Sequence, residues 1–352
     1  MNIKNPLVFL TSILLFSVAC AQNQKQEKTI KTGIEVLKIN DFDILKGKKV
    51  GLITNATGLS SALKPTIDIL YEAENVELVA LYGPEHGARG EIAAGDKVDD
   101  YVDPVTQVPV YSLYGKTRKP TKEMLENVDV LVYDIQDIGV RSYTYISTMG
   151  LAMEAAAEHD IDFVVLDRPN PLGGNKIEGN IAEEGYFSFV SQYPIPYVYG
   201  MTPGEVAILI NEEGWLGEGK KVNLTVVEME GWNRSMTFEE TGLQWVPTSP
   251  HIPHANSAYF YVSTGIMGEL GVFSEGVGYT LPFQVFAAEW IDERKLSENM
   301  NALNIPGVEF RPIVFKPFYG RDQGKTLHGV QIHFSDYTQA HLMSLQYYFM
   351  QV

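Results

Sequence analysis

Short runs of apolar, β-branched residues recur along the first part of the chain, separated by more polar stretches with helical spacing. They are Val50–Thr54, Val76–Leu81, Val128–Tyr133, Phe163–Leu166 and Val222–Val227. Nearly every position within a run is apolar, the pattern of strands covered on both faces in a parallel sheet. Helices are expected between them at Ala62–Ala73, Thr121–Asn127, Thr144–His159 and Thr202–Asn211. The last opens Thr202-Pro203-Gly204-Glu205, an N-cap hydroxyl, a proline for the first helical position and an acid for the first turn. Strand and helix alternating in this way predict an α/β fold with a Rossmann-like, doubly wound, mostly parallel sheet. No Gly-x-Gly-x-x-Gly follows any of these runs, so neither a dinucleotide nor any other cofactor is expected.

Past residue 250 the pattern changes. Thr264–Gly271 and Ser274–Gly278 read as Gly-rich loops, while Val308–Pro317 and His328–Phe334 read as strands of a smaller α+β domain. The predicted organisation is a signal peptide over 1–19, a lipidated cysteine and polar tether over 20–33, a catalytic domain over 34–280 and a smaller C-terminal domain over 281–352.

The N-terminus carries an address. Lys4 precedes the apolar stretch Leu7–Phe16, too short to span a membrane, and then come the small residues Ser17-Val18-Ala19-Cys20. Cys20 is the only cysteine, so it has no internal partner for a disulfide, and its place after Ala19 suits lipidation; cleavage after Ala21 is the competing reading. The expectation is an exported, periplasmic or cell-envelope lipoprotein that meets the membrane only through this anchor. With no other cysteine, thiol catalysis and Cys-based zinc sites are excluded. A net charge of -17 leaves no basic surface for nucleic acid.

Candidate chemistry collects just past the predicted strands, the rim where open α/β sheets bind ligands. The first run leads to Asn55; the second to Glu85, His86 and Arg89 within Tyr82-Gly83-Pro84-Glu85-His86-Gly87-Ala88-Arg89-Gly90. The third leads to Asp134, Gln136, Asp137, Arg141, Tyr143 and Tyr145, and the fourth to Asp167, Arg168 and Asn170. Gly and Pro around Glu85 and His86 place that pair on a sharply turned loop. Plainer readings exist: Asp137 and Arg141 as a surface ion pair, Asp134 as a helix cap, Asp167–Asn170 as a turn. His251-Ile252-Pro253-His254 has two imidazoles, but the proline prevents a helical pair, and no metal site is expected.

Two carboxylates facing a cleft are the minimum for hydrolysing a glycosidic bond. With an N-acetylated sugar, the substrate's own acetamido oxygen can attack instead. Arg89, Arg141 and Arg168 are suited to a substrate carboxylate, and Tyr143, Tyr145, Tyr199 and Trp245 to a sugar ring. An acidic, N-acetylated sugar outside the cytoplasm suggests peptidoglycan. A muropeptide-binding lipoprotein without turnover, and a metal-dependent phosphoester hydrolase using Asp134, Asp137 and His86, are the rival classes.

The stretches Pro84–Gly87, Tyr133–Tyr145, Asp167–Pro171, Trp245–Pro250, Ser274–Gly278 and Gly329–His333 together resemble the exo-acting β-N-acetylmuramidases of NamZ type. The resemblance implies a Rossmann-like domain, a smaller C-terminal domain and a cleft between them. It implies release of N-acetylmuramic acid from the non-reducing end of peptidoglycan fragments. By position, Glu85 is then the general acid/base, with Asp134, Asp137, His86 and Glu275 as candidates for the second role. Retaining, inverting and substrate-assisted courses stay open. His251 departs from the small polar residue expected at its position, and the resemblance implies a C-terminal domain that continues past Val352.

Overall fold

In the computed structural model, residues 29–90 and 99–352 are described. Cys20, the signal segment and the tether up to residue 28 lie outside the described residues, as does 91–98. The larger sheet contains β1 (Lys49–Thr54), β2 (Glu77–Gly83), β3 (Tyr101–Val102), β4 (Pro109–Ser112), β5 (Val130–Asp134), β6 (Asp162–Leu166) and β7 (Leu224–Val227). Their spatial order is β3-β4-β2-β1-β5-β6-β7, parallel throughout except for β3 against β4. Burial is continuous along β5 and nearly so along β1, as expected for strands covered on both faces. This is the doubly wound α/β sheet that the apolar runs predict.

Helices α1 (Gly33–Ile39), α2 (Thr66–Tyr71), α3 (Tyr145–Glu158) and α4 (Pro203–Glu212) accompany this sheet. Helix α4 starts where its sequence says it should. The Glu205 amide donates to Thr202 Oγ1 at 3.2 Å and the Thr202 amide to Glu205 Oε2 at 3.0 Å, with Pro203 at the first helical position. Helix α2 is shorter than the predicted Ala62–Ala73, and Thr121–Asn127 forms only a 3-10 turn at Glu123–Leu125.

The chain runs outward from β1 through β2 to β4, then returns to place β5 on the other side of β1. The direction of winding therefore reverses between β1 and β5, and such a switch point opens a crevice at the carboxyl ends of the strands. Thr54 and Asp134 are paired in register there, which brings Asn55 beside the Asp134–Asp137 segment.

A smaller antiparallel sheet has the order β8 (Val285–Ala288), β10 (Leu327–Phe334), β9 (Val308–Phe315), with helices α5 (Ser257–Glu269), α6 (Glu293–Ala302) and α7 (Ser344–Gln351). Exposed positions interrupt burial along β9, as suits a sheet with one wet face. Thr264–Gly271 is not a loop as expected: most of it belongs to α5. That helix is apolar nearly all round and buries Tyr259, Phe260, Val262 and Met267 in one core with Phe286, Phe310 and Phe349. Within this helix position 268 accommodates only glycine, because the Glu275 carboxylate packs over it; a Cβ there would lie 2.6 Å from Glu275 Cδ. Val140, Leu172, Tyr197 and Val198 from the larger unit enter the same core.

Candidate functional site

Glu85 occupies the corner of a tight turn just after β2. The turn closes by a hydrogen bond from the Gly87 amide to the Pro84 carbonyl at 3.0 Å, and His86 takes φ 75° at its third position. That position normally prefers glycine, so the sequence Glu-His-Gly stores strain where Glu-Gly would not. The turn is tied to the next strand by Leu113, whose amide donates to the Gly83 carbonyl at 2.8 Å. Tyr114 follows, and its phenol is within electrostatic reach of Glu85. Burial raises the Tyr114 hydroxyl above its ordinary range, the Glu85 carboxylate raises it further, and Arg118 acts in the opposite sense.

An open cleft of about 140 Å³ lies beside this turn, lined by Asn55, Ala56, His86, Gly90, Pro247, Thr248, Ser249 and Pro250. Two tyrosines hold its far wall. Tyr145 donates to the Thr248 carbonyl at 2.5 Å, and the Tyr143 hydroxyl meets Thr248 Oγ1 at 2.7 Å, with the two rings edge to face. Asn55 Oδ1 accepts from the Thr57 amide at 2.9 Å and hydroxyl at 2.5 Å, so its amide nitrogen faces the Tyr145 hydroxyl. Tyr145 is raised well above its ordinary range by burial first, then by the charges of its neighbours, Glu85 among them.

Asp137 is the second carboxylate of interest. Its Oδ1 accepts from Tyr199 at 2.5 Å and from the Gly139 amide at 2.7 Å, while its Oδ2 is buried without a hydrogen-bond partner. Burial lifts its carboxyl to about 6, against the lowering effect of those hydrogen bonds. Tyr261, from α5, senses both Asp137 and Glu85; burial pushes it up to about 12. Ser142 links Tyr261 and Tyr197 by contacts of 3.2 and 2.9 Å. Helix α5 thus contributes a phenol within electrostatic reach of both carboxylates.

Several expected substrate ligands have other work. Asp134 and Arg168 form a buried bidentate ion pair, Nε to Oδ1 at 2.5 Å and Nη2 to Oδ2 at 3.0 Å, and Thr66 donates to the same carboxylate. Arg89 bonds Asp103 at 2.6 and 3.0 Å and Asp68 at 3.2 Å, and it holds the Asp103 carboxyl well below the usual range. Arg141 forms no ion pair with Asp137; it donates to the carbonyls of Asn180 at 2.7 Å and Ile195 at 2.5 Å. All three guanidinium groups are directed inward, contrary to the expectation that they receive a substrate carboxylate. Asp167 caps α4 through the Gly204 amide at 2.8 Å and Thr202 Oγ1 at 2.9 Å, with burial lifting its carboxyl to about 6.

Gln136 and Asn170 brace the rim: Gln136 Nε2 donates to the carbonyls of Asp137 and Pro169, and Asn170 Nδ2 to that of Met201. Trp245 is pinned edge-on to Phe238 and donates to the Ile252 carbonyl at 3.1 Å. Glu275 sits in the smaller unit against Gly268, 3.8 Å from Arg321, raised mainly by burial. His251 lies in a loop, as expected. Its ring stacks on Tyr319 with Nε2 2.9 Å from the hydroxyl, and burial together with nearby His86 lowers it.

Tyr114 escaped the sequence reading because β4 is only four residues long and begins with proline. The alternation in Val108-Pro109-Val110-Tyr111-Ser112-Leu113-Tyr114 was the available signal.

Acid chemistry in a cleft walled by hydroxyls and an amide suits a glycosidic bond, and this fold and site define the protein's class as a glycoside hydrolase. Family comparison makes that specific. The sequence profile described as "Exo-beta-N-acetylmuramidase NamZ, N-terminal" matches residues 50–256, and its C-terminal counterpart matches residues 259–352. The chain belongs to the NamZ family of exo-β-N-acetylmuramidases. It is 48% identical over 341 residues to the peptidoglycan β-N-acetylmuramidase NamZ of Bacillus subtilis (strain 168), covering 95% of this chain and 81% of that protein. Among solved structures it is similar to two DUF1343 family proteins from Bacteroides fragilis NCTC 9343. One is 61% identical with TM-score 0.88, covering 92% of this chain and 82% of the other. The second is 33% identical with TM-score 0.71, covering 86% and 76%.

Proposed function

We propose that this chain hydrolyses the β-glycosidic bond of a terminal N-acetylmuramic acid at the non-reducing end of peptidoglycan fragments. The observation that carries the reading is the placement of Glu85: a carboxylate on a strained turn whose next residue, His86, lines the cleft, within electrostatic reach of Tyr114 and of Tyr145 on the cleft's far wall. Glu85 is the general acid, giving its proton to the leaving sugar's oxygen. Of the four candidates for the second role, Asp134 is committed to Arg168, Glu275 lies against Gly268, and His86 faces His251. Asp137 and Glu275 each retain a buried carboxylate oxygen with no hydrogen-bond partner, and of the two Asp137 stands just past β5, on the sheet rim that also carries Glu85. It is our choice for the second carboxylate, orienting the sugar or its acetamido group. A phosphoester hydrolase built on Asp134, Asp137 and His86 is disfavoured by the same commitment of Asp134.

The test uses leaving groups of different basicity. Glu85→Gln should slow release of N-acetylmuramic acid from the MurNAc-GlcNAc disaccharide by roughly 10²- to 10⁴-fold. It should slow an aryl N-acetylmuramide far less, because nitrophenolate departs without a proton. Equal loss on both substrates, or no loss, removes Glu85 from the acid role. A wild-type protein that binds the disaccharide and releases nothing would instead be a capture protein.

The N-terminal sequence supports export and anchoring through Cys20. Cys20→Ser should then move the protein from the membrane fraction to the soluble fraction of the cell envelope. Unchanged partition would favour cleavage after Ala21.

A further inference from the structure

The substrate proposed above differs from an N-acetylglucosamine end by one charged group, the carboxylate of its 3-O-lactyl ether. A protein of net charge -17 repels such a sugar at long range, so a local cation has to select it. The three arginines expected to do so are turned inward. Arg118 is not. It sits in the segment after β4, on the same rim as Glu85, and its flanking lysines are paired: Lys116 lies 3.8 Å from Asp99, and Lys119 bonds Glu154 at 2.7 Å and Glu158 at 2.8 Å. Among the described residues, Arg118 donates to no carboxylate or carbonyl. Its contacts are aromatic: the guanidinium carbon lies 4.0 Å from the centroid of Phe189 and 5.9 Å from that of Tyr114.

A guanidinium whose neighbours are aromatic rings keeps its donors available. The cation–π contact uses none of the five N–H donors, which stay free for a carboxylate in bidentate geometry. Tyr114 also fixes the location: Gly83 and Ser112 are paired in register, and Glu85 and Tyr114 each stand two residues past that pair. The unused cation and the proposed acid therefore neighbour one aromatic residue, whose hydroxyl feels both charges. We infer that Arg118 receives the lactyl carboxylate of the terminal sugar and thereby selects N-acetylmuramyl over N-acetylglucosaminyl ends. This rests on the glycosidase reading for its substrate and on Glu85 as the marker of the site.

The experiment compares two glycosides with the same nitrophenyl leaving group, the β-N-acetylmuramide with a free lactyl acid and its lactyl methylamide. Wild type should favour the acid. Arg118→Gln should lower kcat/KM for the acid on the order of tenfold, chiefly through KM, and leave the methylamide unchanged, which also reports on folding. Arg118→Lys should fall between them, keeping the charge without the fork. The inference is overturned if the acid-to-amide ratio is the same in wild type and Arg118→Gln, including the case where both substrates fall together. If wild type cleaves neither, the glycosidase reading fails separately. Binding then decides the inference: Arg118→Gln must weaken free N-acetylmuramic acid and spare N-acetylglucosamine, and equal effects on the two sink it.

Discussion

Asp134 and Arg168 lock the ends of β5 and β6 together: two hydrogen bonds, 2.5 and 3.0 Å, join their side chains with almost no exposure to water. A third guanidinium bond, from Nη2 to the Leu59 carbonyl at 2.7 Å, ties in the loop after β1. Removing either partner leaves the other charge buried alone, which costs roughly 3–5 kcal/mol. Asp134→Asn and Arg168→Gln should each lower the urea midpoint accordingly, and the double variant should lose less than the sum of the two. Additive losses would mean the pair is not coupled.

Tyr114 should matter to rate rather than to folding. Its hydroxyl feels the Glu85 charge and it is partly exposed, so Tyr114→Phe should leave the melting temperature within a degree or two while reducing kcat/KM on the disaccharide by on the order of tenfold. Steady-state kinetics alongside a thermal melt tests this. Unchanged kinetics would show that the phenol does not assist the acid.

The parallel sheet was legible because strands buried on both faces carry a continuous apolar signal, and the strand ends could be placed to within a residue or two. The rim was therefore legible too: Asn55, Glu85 and Asp137 all stand there. What the local pattern could not supply was direction. Arg168 follows its strand by two residues just as a ligand would, yet it points back to Asp134, a partner 34 positions away. Arg89 is claimed by Asp68 and Asp103 from two other elements. Such pairings are decided by tertiary packing. Arg118, which bonds no carboxylate or carbonyl among the described residues, stands after a strand too short to announce itself.

Asp137 and Asp167 predict a pH dependence of stability with an unusual sign. Both carboxyls are lifted by burial to about 6, above the ordinary value near 3.8. Between those limits the native state holds more protons than the unfolded one, so stability falls as pH rises. The effect is fully present below the unfolded value and is lost through the folded value near 6. The loss is on the order of 1–3 kcal/mol for each group. Urea midpoints measured from pH 4 to 7 should decline for wild type and decline less for Asp137→Asn. A flat Asp137→Asn difference across that range would mean that Asp137 titrates normally.

Gly139 should tolerate no side chain, for two independent reasons. It takes φ 77°, which strains any L-residue by about 1–3 kcal/mol. A Cβ there would also stand 2.7 Å from Asn170 Nδ2, and Asn170 is held on both sides, by the Met201 carbonyl and the Leu172 amide. The side chain cannot yield without releasing one of those bonds. Gly139 is moreover the residue whose amide supports Asp137 Oδ1 at 2.7 Å, so the strain is delivered directly to the second carboxylate. Gly139→Ala should therefore lose several kcal/mol of stability together with most of its turnover. A companion change, Asn170→Gly, removes the steric conflict but not the positive φ. Gly139→Ala/Asn170→Gly should thus be destabilised by less than the sum of its two single changes, by an amount that isolates the clash from the backbone strain. Strict additivity in urea unfolding would show that the backbone conformation alone sets the requirement for glycine.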